Sequence, residues 1–148
     1  ITEPATYIER VNNCKKITRN FPIKIKEIEK KIHSHYSYKT INYIIGHYSN
    51  IKFFWLMGAD NLINFHKWEK WEKIFNNMSI VIFRRHGYNT DALKSIASQK
   101  FRNSRIISSN MKIGNFDKVP SWCFIENKEI KISSSEIRKQ REKLRGKN

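Results

Sequence analysis

Long apolar runs are missing from this chain. No stretch approaches the ~18 consecutive apolar residues that a membrane-spanning helix needs, and no signal-peptide pattern is visible. Cysteine is scarce as well. Cys14 and Cys123 are the two present, and their separation matches no metal-ligand or redox spacing. A disulfide framework is thereby excluded, and two free thiols fit a reducing, cytoplasmic setting. Glycine (5) and proline (3) are too few to build a flexible linker, so residues 1–148 read as one domain without internal repeats. Acidic side chains number 13 against 29 Lys and Arg, a formal net charge of +16. Such a surplus suits a polyanionic partner, nucleic acid or a phosphate-rich substrate. It equally suits a solvated lysine-rich surface in a chain rich in Ile, Lys and Asn. The densest basic runs, Lys24 to Lys31 and Lys139 to Lys147, alternate with acids or lie at an end. His47 and His66 have no carboxylate or cysteine at metal-ligand spacing, and no metal site is expected in the protein.

What is present is a folded domain's composition: 39% hydrophobic and 13% aromatic over 148 residues, enough for a sizeable core. Thr6-Tyr7-Ile8-Glu9 has the form of a capping box, with Ile8, Val11 and Ile17 on the helix that follows and Phe21-Pro22 ending it. Ile23-Lys24-Ile25-Lys26 alternates like a short strand. Ile41, Ile44, Ile45 and Tyr48 recur at helical spacing. Ile51 to Met57 is an almost unbroken apolar run, predicting a strand buried on both faces, as in a parallel sheet covered by helices. Trp68, Trp71 and Phe75 share a helical spacing. Ser79 to Phe83 is a second apolar strand, Thr90 to Phe101 a helix, and Ile106-Ile107 and Trp122 to Ile125 short strands. Strands alternating with helices predict an α/β fold, a doubly wound parallel sheet.

Three places carry chemistry. Gly58 and Asp60 follow the first strand, where open α/β sheets bind ligands; the glycine lets backbone come close and the aspartate can accept from ribose hydroxyls. Ile132-Ser133-Ser134-Ser135-Glu136-Ile137-Arg138 places hydroxyls at a helix start and an arginine on its first turn. Ser133 and Glu136 have capping-box spacing, and a phosphate suits that end of a helix. A capped surface helix would show the same pattern. Arg84 and Arg85 follow the second strand, where a cation can meet a nucleotide phosphate or simply face water.

Met57-Gly58-Ala59-Asp60-Asn61-Leu62, Lys67-Trp68, Arg84-Arg85-His86-Gly87-Tyr88 and Ile132 to Arg138 occur in an order that resembles bacterial nicotinate-nucleotide adenylyltransferases, with their GxDxL, KW, RRPGY and ISSTxIR motifs. Tyr36-Ser37-Tyr38-Lys39-Thr40-Ile41 resembles the family's YTxxTL segment, and a weaker echo runs from Tyr7 to Ile17. The resemblance implies a Rossmann-like nucleotidyltransferase fold and adenylyl transfer from ATP, with Mg²⁺ carried on its phosphates, to nicotinate mononucleotide. Deamido-NAD and pyrophosphate would be the products. It implies ATP binding by Gly58, Asp60, Ile132, Ser133, Ser134, Ser135, Ile137 and Arg138. It makes Ser37, Thr40, Lys67 and Trp68 the substrate residues, Trp68 stacking on the pyridine and Trp71 remaining in the core, with Arg84 and Arg85 as phosphate contacts.

The departures are specific. The family's GxFDPxHxGH stretch is not found, since Gly46-His47 has Ile44 where the first histidine would stand. By this resemblance the chain lacks the first βαβ unit, a unit of ~30 residues or more, and is expected to be inactive alone, with an unpaired sheet edge. His86 replaces the proline of RRPGY, Ser135 the threonine of ISSTxIR, and Glu69 an aromatic residue common in relatives. Two other readings stay open. One is a related nucleotidyltransferase acting on nicotinamide mononucleotide or phosphopantetheine; the other is a basic module binding nucleic acid. Self-association is compatible with either.

Overall fold

The computed structural model describes residues 5–112, 114, 116 and 118–126. Residues 5–31 and 32–126 fall in separate compact units.

In the first unit, α1 (Tyr7–Thr18) starts at the expected capping box. Glu9 N–H donates to Thr6 Oγ1 at 3.3 Å, and Thr6 N–H donates to Glu9 Oε2 at 2.9 Å. Two otherwise unpaired donors of the first turn are thereby satisfied. No residue of α1 is buried, so the Ile8, Val11 and Ile17 stripe makes no core of its own. Ile23 to Lys26 forms no strand; the segment runs in irregular backbone to the single turn α2 (Ile28–Lys31). Two alternating isoleucines supply too little apolar surface to hold a strand without a ladder to join.

The second unit is built on four parallel strands: β1 (Phe54–Gly58), β2 (Ser79–Phe83), β3 (Arg105–Ile107) and β4 (Trp122–Ile125), ordered β1-β2-β4-β3. Gly58 pairs with Phe83 at the end of the β1–β2 ladder, and Val81 with Cys123 between β2 and β4. The helices are α3 (Ser37–His47), α4 (Ala59–Ile63), α5 (Trp71–Asn77), α6 (Asn89–Lys94) and α7 (Ile96–Lys100). Alternate strand residues Met57, Ile80, Ile82, Trp122 and Phe124 join Ile41, Leu62, Phe65, Ile74 and Phe75 in the main core. Phe75 stacks on Phe101 at 4.2 Å, and the Trp122 indole N–H donates to the Phe101 carbonyl at 2.8 Å. The opposite face carries Val81 and Cys123 with Phe116. At the strand starts a buried hydroxyl network fixes the chain before β4: Ser79 Oγ and Ser121 Oγ both donate to the Phe116 carbonyl, at 2.6 and 2.8 Å.

Three expectations are corrected. β1 is buried on one face, not both. Its Leu56 is 60% exposed and Phe54 42%, while Met57 is buried. Among the described residues β1 stands at the sheet edge, and its second face lines an apolar hollow of about 450 Å³. The predicted helix from Thr90 to Phe101 is two short ones. Ser95 takes extended backbone (φ −63, ψ 157) and its side chain accepts from Ser98 N–H, capping α7. Trp68 is not on the helix of Trp71 and Phe75. It follows a 3₁₀ turn at Phe65–Lys67 in extended backbone (φ −76, ψ 143), and a left-handed Lys70 (φ 52) separates it from α5.

Candidate functional site

β1 and β2 end side by side, and the residues just past their last rung converge. Asp60 lies two residues beyond Gly58, and Arg85 two beyond Phe83, the residues that pair at that rung. Arg85 Nη1 donates to Asp60 Oδ2 at 2.9 Å. Asp60 Oδ1 is buried and has no hydrogen-bond partner among the described residues. A buried carboxylate oxygen is costly to leave unsatisfied, so it is a ready acceptor for a ligand hydroxyl. Gly58 has an ordinary extended backbone (φ −82, ψ 158). Space dictates glycine there: a Cβ would lie 2.5 Å from Asp60 Oδ1 and 3.7 Å from the Arg85 side chain.

Arg85 is held from its own backbone. Its N–H donates to Asn89 Oδ1 at 2.8 Å, and its carbonyl accepts from Tyr88 N–H at 3.0 Å. That closes a turn whose third residue, Gly87, has φ +81, a conformation glycine adopts without strain. The turn closes with His86 in place of a proline. Arg84 lies apart from Asp60, lining a separate cavity of about 430 Å³ with Lys94, Arg105 and Glu126. The structure therefore brings Arg85, and not Arg84, to the Asp60 carboxylate.

A second group assembles around Trp68. It lines an open cavity of about 390 Å³ with His35, Tyr36, Ser37 and Glu69. Ser37 begins α3, so the helix's N-terminus opens onto this cavity; Thr40, one turn on, is buried, and its hydroxyl oxygen has no partner among the described residues. The Trp68 ring is braced from within by Trp55, perpendicular at 6.4 Å, and by Phe65 at 4.9 Å. Lys70 Nζ sits 4.6 Å over the Tyr38 ring. Lys67 is exposed and is not among the cavity's lining residues. Glu69, an acid, takes a place on the wall. The alternation along β1 could have shown Trp55 and Met57 to share a face; the Asp60–Arg85 pair had no such signal, because its members are 25 residues apart in sequence.

Ile132, Ser133, Ser134, Ser135, Ile137 and Arg138 lie outside the described residues. Among the described residues, no group of three or more His, Cys, Asp or Glu is placed to hold a metal ion, and no helix is long and apolar enough to cross a membrane. Burial pushes the Cys123 thiol up to about 11, against a smaller opposing effect of the Arg105 charge.

The sheet is of the open parallel α/β class, with a GxD turn at a strand end, and a family model described as cytidylyltransferase-like matches residues 2–140. A relative from Ruegeria sp. (strain TM1040), named "Probable nicotinate-nucleotide adenylyltransferase", is 31% identical over 137 residues, covering 93% of this chain and 72% of the relative. A relative of the same name from Rhizobium meliloti is 32% identical over 130 residues, 88% of this chain and 69% of the relative. A solved structure of Plasmodium falciparum nicotinic acid mononucleotide adenylyltransferase complexed with APC superposes with a TM-score of 0.58. At 19% identity over 90% of this chain and 61% of that one, it shows a shared fold. The chain therefore belongs to the cytidylyltransferase-like family and, within it, to the nicotinate-nucleotide adenylyltransferases.

Proposed function

We propose that this chain supplies the substrate-binding residues for adenylyl transfer from ATP to nicotinate mononucleotide, which gives deamido-NAD and pyrophosphate in NAD biosynthesis, and that it does not turn over alone. The observation that carries the reading is the pairing of an unsatisfied carboxylate with an aromatic cavity. An aspartate with a free buried oxygen lies at the β1 end, and a braced tryptophan faces a cavity shared with the start of α3. Asp60 Oδ1 accepts from a ribose hydroxyl of adenosine, and Gly58 keeps the space clear. Trp68 stacks on the pyridinium ring; a cation over an indole face gains about 2 kcal/mol when desolvated. Ser37 and the backbone N–H groups opening α3 hold the nicotinate carboxylate, helped by the positive end of the helix. The unpartnered Thr40 hydroxyl adds a donor one turn below. Lys67, exposed nearby in sequence, favours an anionic substrate through its field. The motif of residues 132–138 is of the kind that binds ATP in the family the chain resembles.

Magnesium arrives as part of the ATP substrate, held by phosphate oxygens and water, its preferred ligands. The transfer is an in-line displacement at the α-phosphorus, which asks the protein for positioning and charge neutralisation. Residues 1–148 act as one nucleotidyltransferase domain, a reading supported by the family match across both compact units. The two free cysteines support a cytoplasmic setting.

The test is Trp68→Ala, read by binding. The affinity for nicotinate mononucleotide is expected to fall by about tenfold or more while that for ATP is unchanged. Equal losses for both ligands, or no loss for either, would show that Trp68 is core and that the substrate is another nucleotide.

A further inference from the structure

We infer that Arg85 is a positioning residue that holds Asp60 for the adenosine ribose, and is not a phosphate contact. The inference rests on the reading of Asp60 as the ribose acceptor. Three observations carry it. The Arg85 guanidinium already donates to Asp60 Oδ2 at 2.9 Å, so part of its donor fork is committed and its charge is locally offset by the carboxylate. The other oxygen of that carboxylate, Oδ1, is buried and has no hydrogen-bond partner among the described residues. The arginine is itself fixed at its backbone by the Asn89 acceptor and by the turn through Gly87.

The arrangement follows from the ladder. Gly58 and Phe83 are the last paired residues of β1 and β2, so Asp60 and Arg85 leave the sheet at the same level. The space between them is narrow: a Cβ on Gly58 would meet both side chains. A carboxylate on a short helix after a strand has rotamers to choose from, and a planar fork from the adjacent strand selects one. The neighbouring Arg84 lines a different cavity, with Lys94, Arg105 and Glu126.

The experiment titrates the intact chain with adenosine, ATP and inorganic tripolyphosphate, comparing wild type, Arg85→Gln, Asp60→Asn and the double variant. Acting through Asp60, Arg85→Gln weakens adenosine and ATP by the same factor, about tenfold, and leaves tripolyphosphate unchanged. In the Asp60→Asn background it then costs nothing further, and Arg85→Lys recovers part of the loss. The inference is overturned if Arg85→Gln weakens ATP and tripolyphosphate but spares adenosine, or if its full effect persists in the Asp60→Asn background. Should Arg85→Gln fail to fold by circular dichroism, Arg85→Lys carries the same comparison among the three ligands. An Asp60→Asn variant that binds adenosine normally removes the ribose reading itself, and this inference with it. Loss on Asp60→Asn with none on Arg85→Gln removes the inference alone.

Discussion

At Gly58, a methyl group would stand 2.5 Å from Asp60 Oδ1, closer than real Cβ contacts come. The backbone there is relaxed, so the cost of Gly58→Ala falls on the carboxylate, which must swing away and strain its bond to Arg85. Gly58→Ala is expected to weaken adenosine binding about as much as Asp60→Asn does, while shifting thermal stability by less than about 2 kcal/mol. Measured affinity and melting temperature for the two variants check this; normal adenosine binding by Gly58→Ala would mean the carboxylate does not need its present position. The two thiols give a second contrast. Cys14 is exposed, whereas burial raises the Cys123 thiol to about 11. Only the thiolate attacks an alkylating agent, so in the folded chain Cys14 reacts at pH 8 and Cys123 does not. Mass spectrometry of the labelled protein separates the two sites. Cys123 modified at the rate of Cys14 at pH 8 would contradict its burial. The close approach of backbone to carboxylate at Gly58 and Asp60 was legible in the sequence because the GxD motif is local. The partner of Asp60 was not, because Arg85 reaches it through strand pairing across 25 positions.

Among the elements, β1 and β2 look alike as sequence, each an apolar run, yet they differ in the sheet. β2 lies between β1 and β4 and is buried along all but its last residue; β1 has a neighbour on one side and an open second face. Hydrophobic content reports that a segment is apolar, and not how many layers cover it, so two-faced burial was overread for β1. The difference is measurable. Ile82→Ala removes a fully buried side chain and should cost about 2–5 kcal/mol. Leu56→Ala, at a side chain 60% exposed, should cost less than about 1 kcal/mol. Denaturant unfolding of the two variants decides it, and comparable losses would mean that the β1 face is covered in solution. The helices show the opposite limit of pattern reading. The start of α1 was legible from Thr6 and Glu9, because a capping box is closed within four residues. The break at Ser95 was not, because a serine inside an apolar periodicity can either continue a helix or cap a new one. Trp68 was likewise set in a helix by spacing alone, while the left-handed Lys70 turned the chain and freed its ring for the cavity.

For the molecule as a whole, binding and chemistry are separable. The Asp60 carboxylate and the cavity at Trp68 are formed from described residues, and on the proposed reading they hold a nucleotide and a ring without reference to the reacting phosphorus. The charge that develops on the transferring phosphoryl group needs donors placed around the α-phosphate. In the family that this chain resembles, the histidines of an HxGH motif are expected to supply them, and none of the five histidines here stands in such a motif. Removing one well-placed donor commonly slows such a step by about 10²–10³, and a missing pair should slow it further. The net charge of +16 offers no substitute, since a diffuse surface field raises encounter rates but does not aim a hydrogen bond. The purified 148-residue chain is therefore expected to bind ATP and nicotinate mononucleotide in titrations yet release no measurable pyrophosphate from the pair. Pyrophosphate release that requires both substrates and disappears in Asp60→Ala would overturn this, and would mean that residues of this chain outside any HxGH motif stabilise the transition state. Binding of duplex DNA with a steep salt dependence, unaffected by Asp60 or Trp68 substitution and unaccompanied by nucleotide binding, would instead make the positive charge the functional feature.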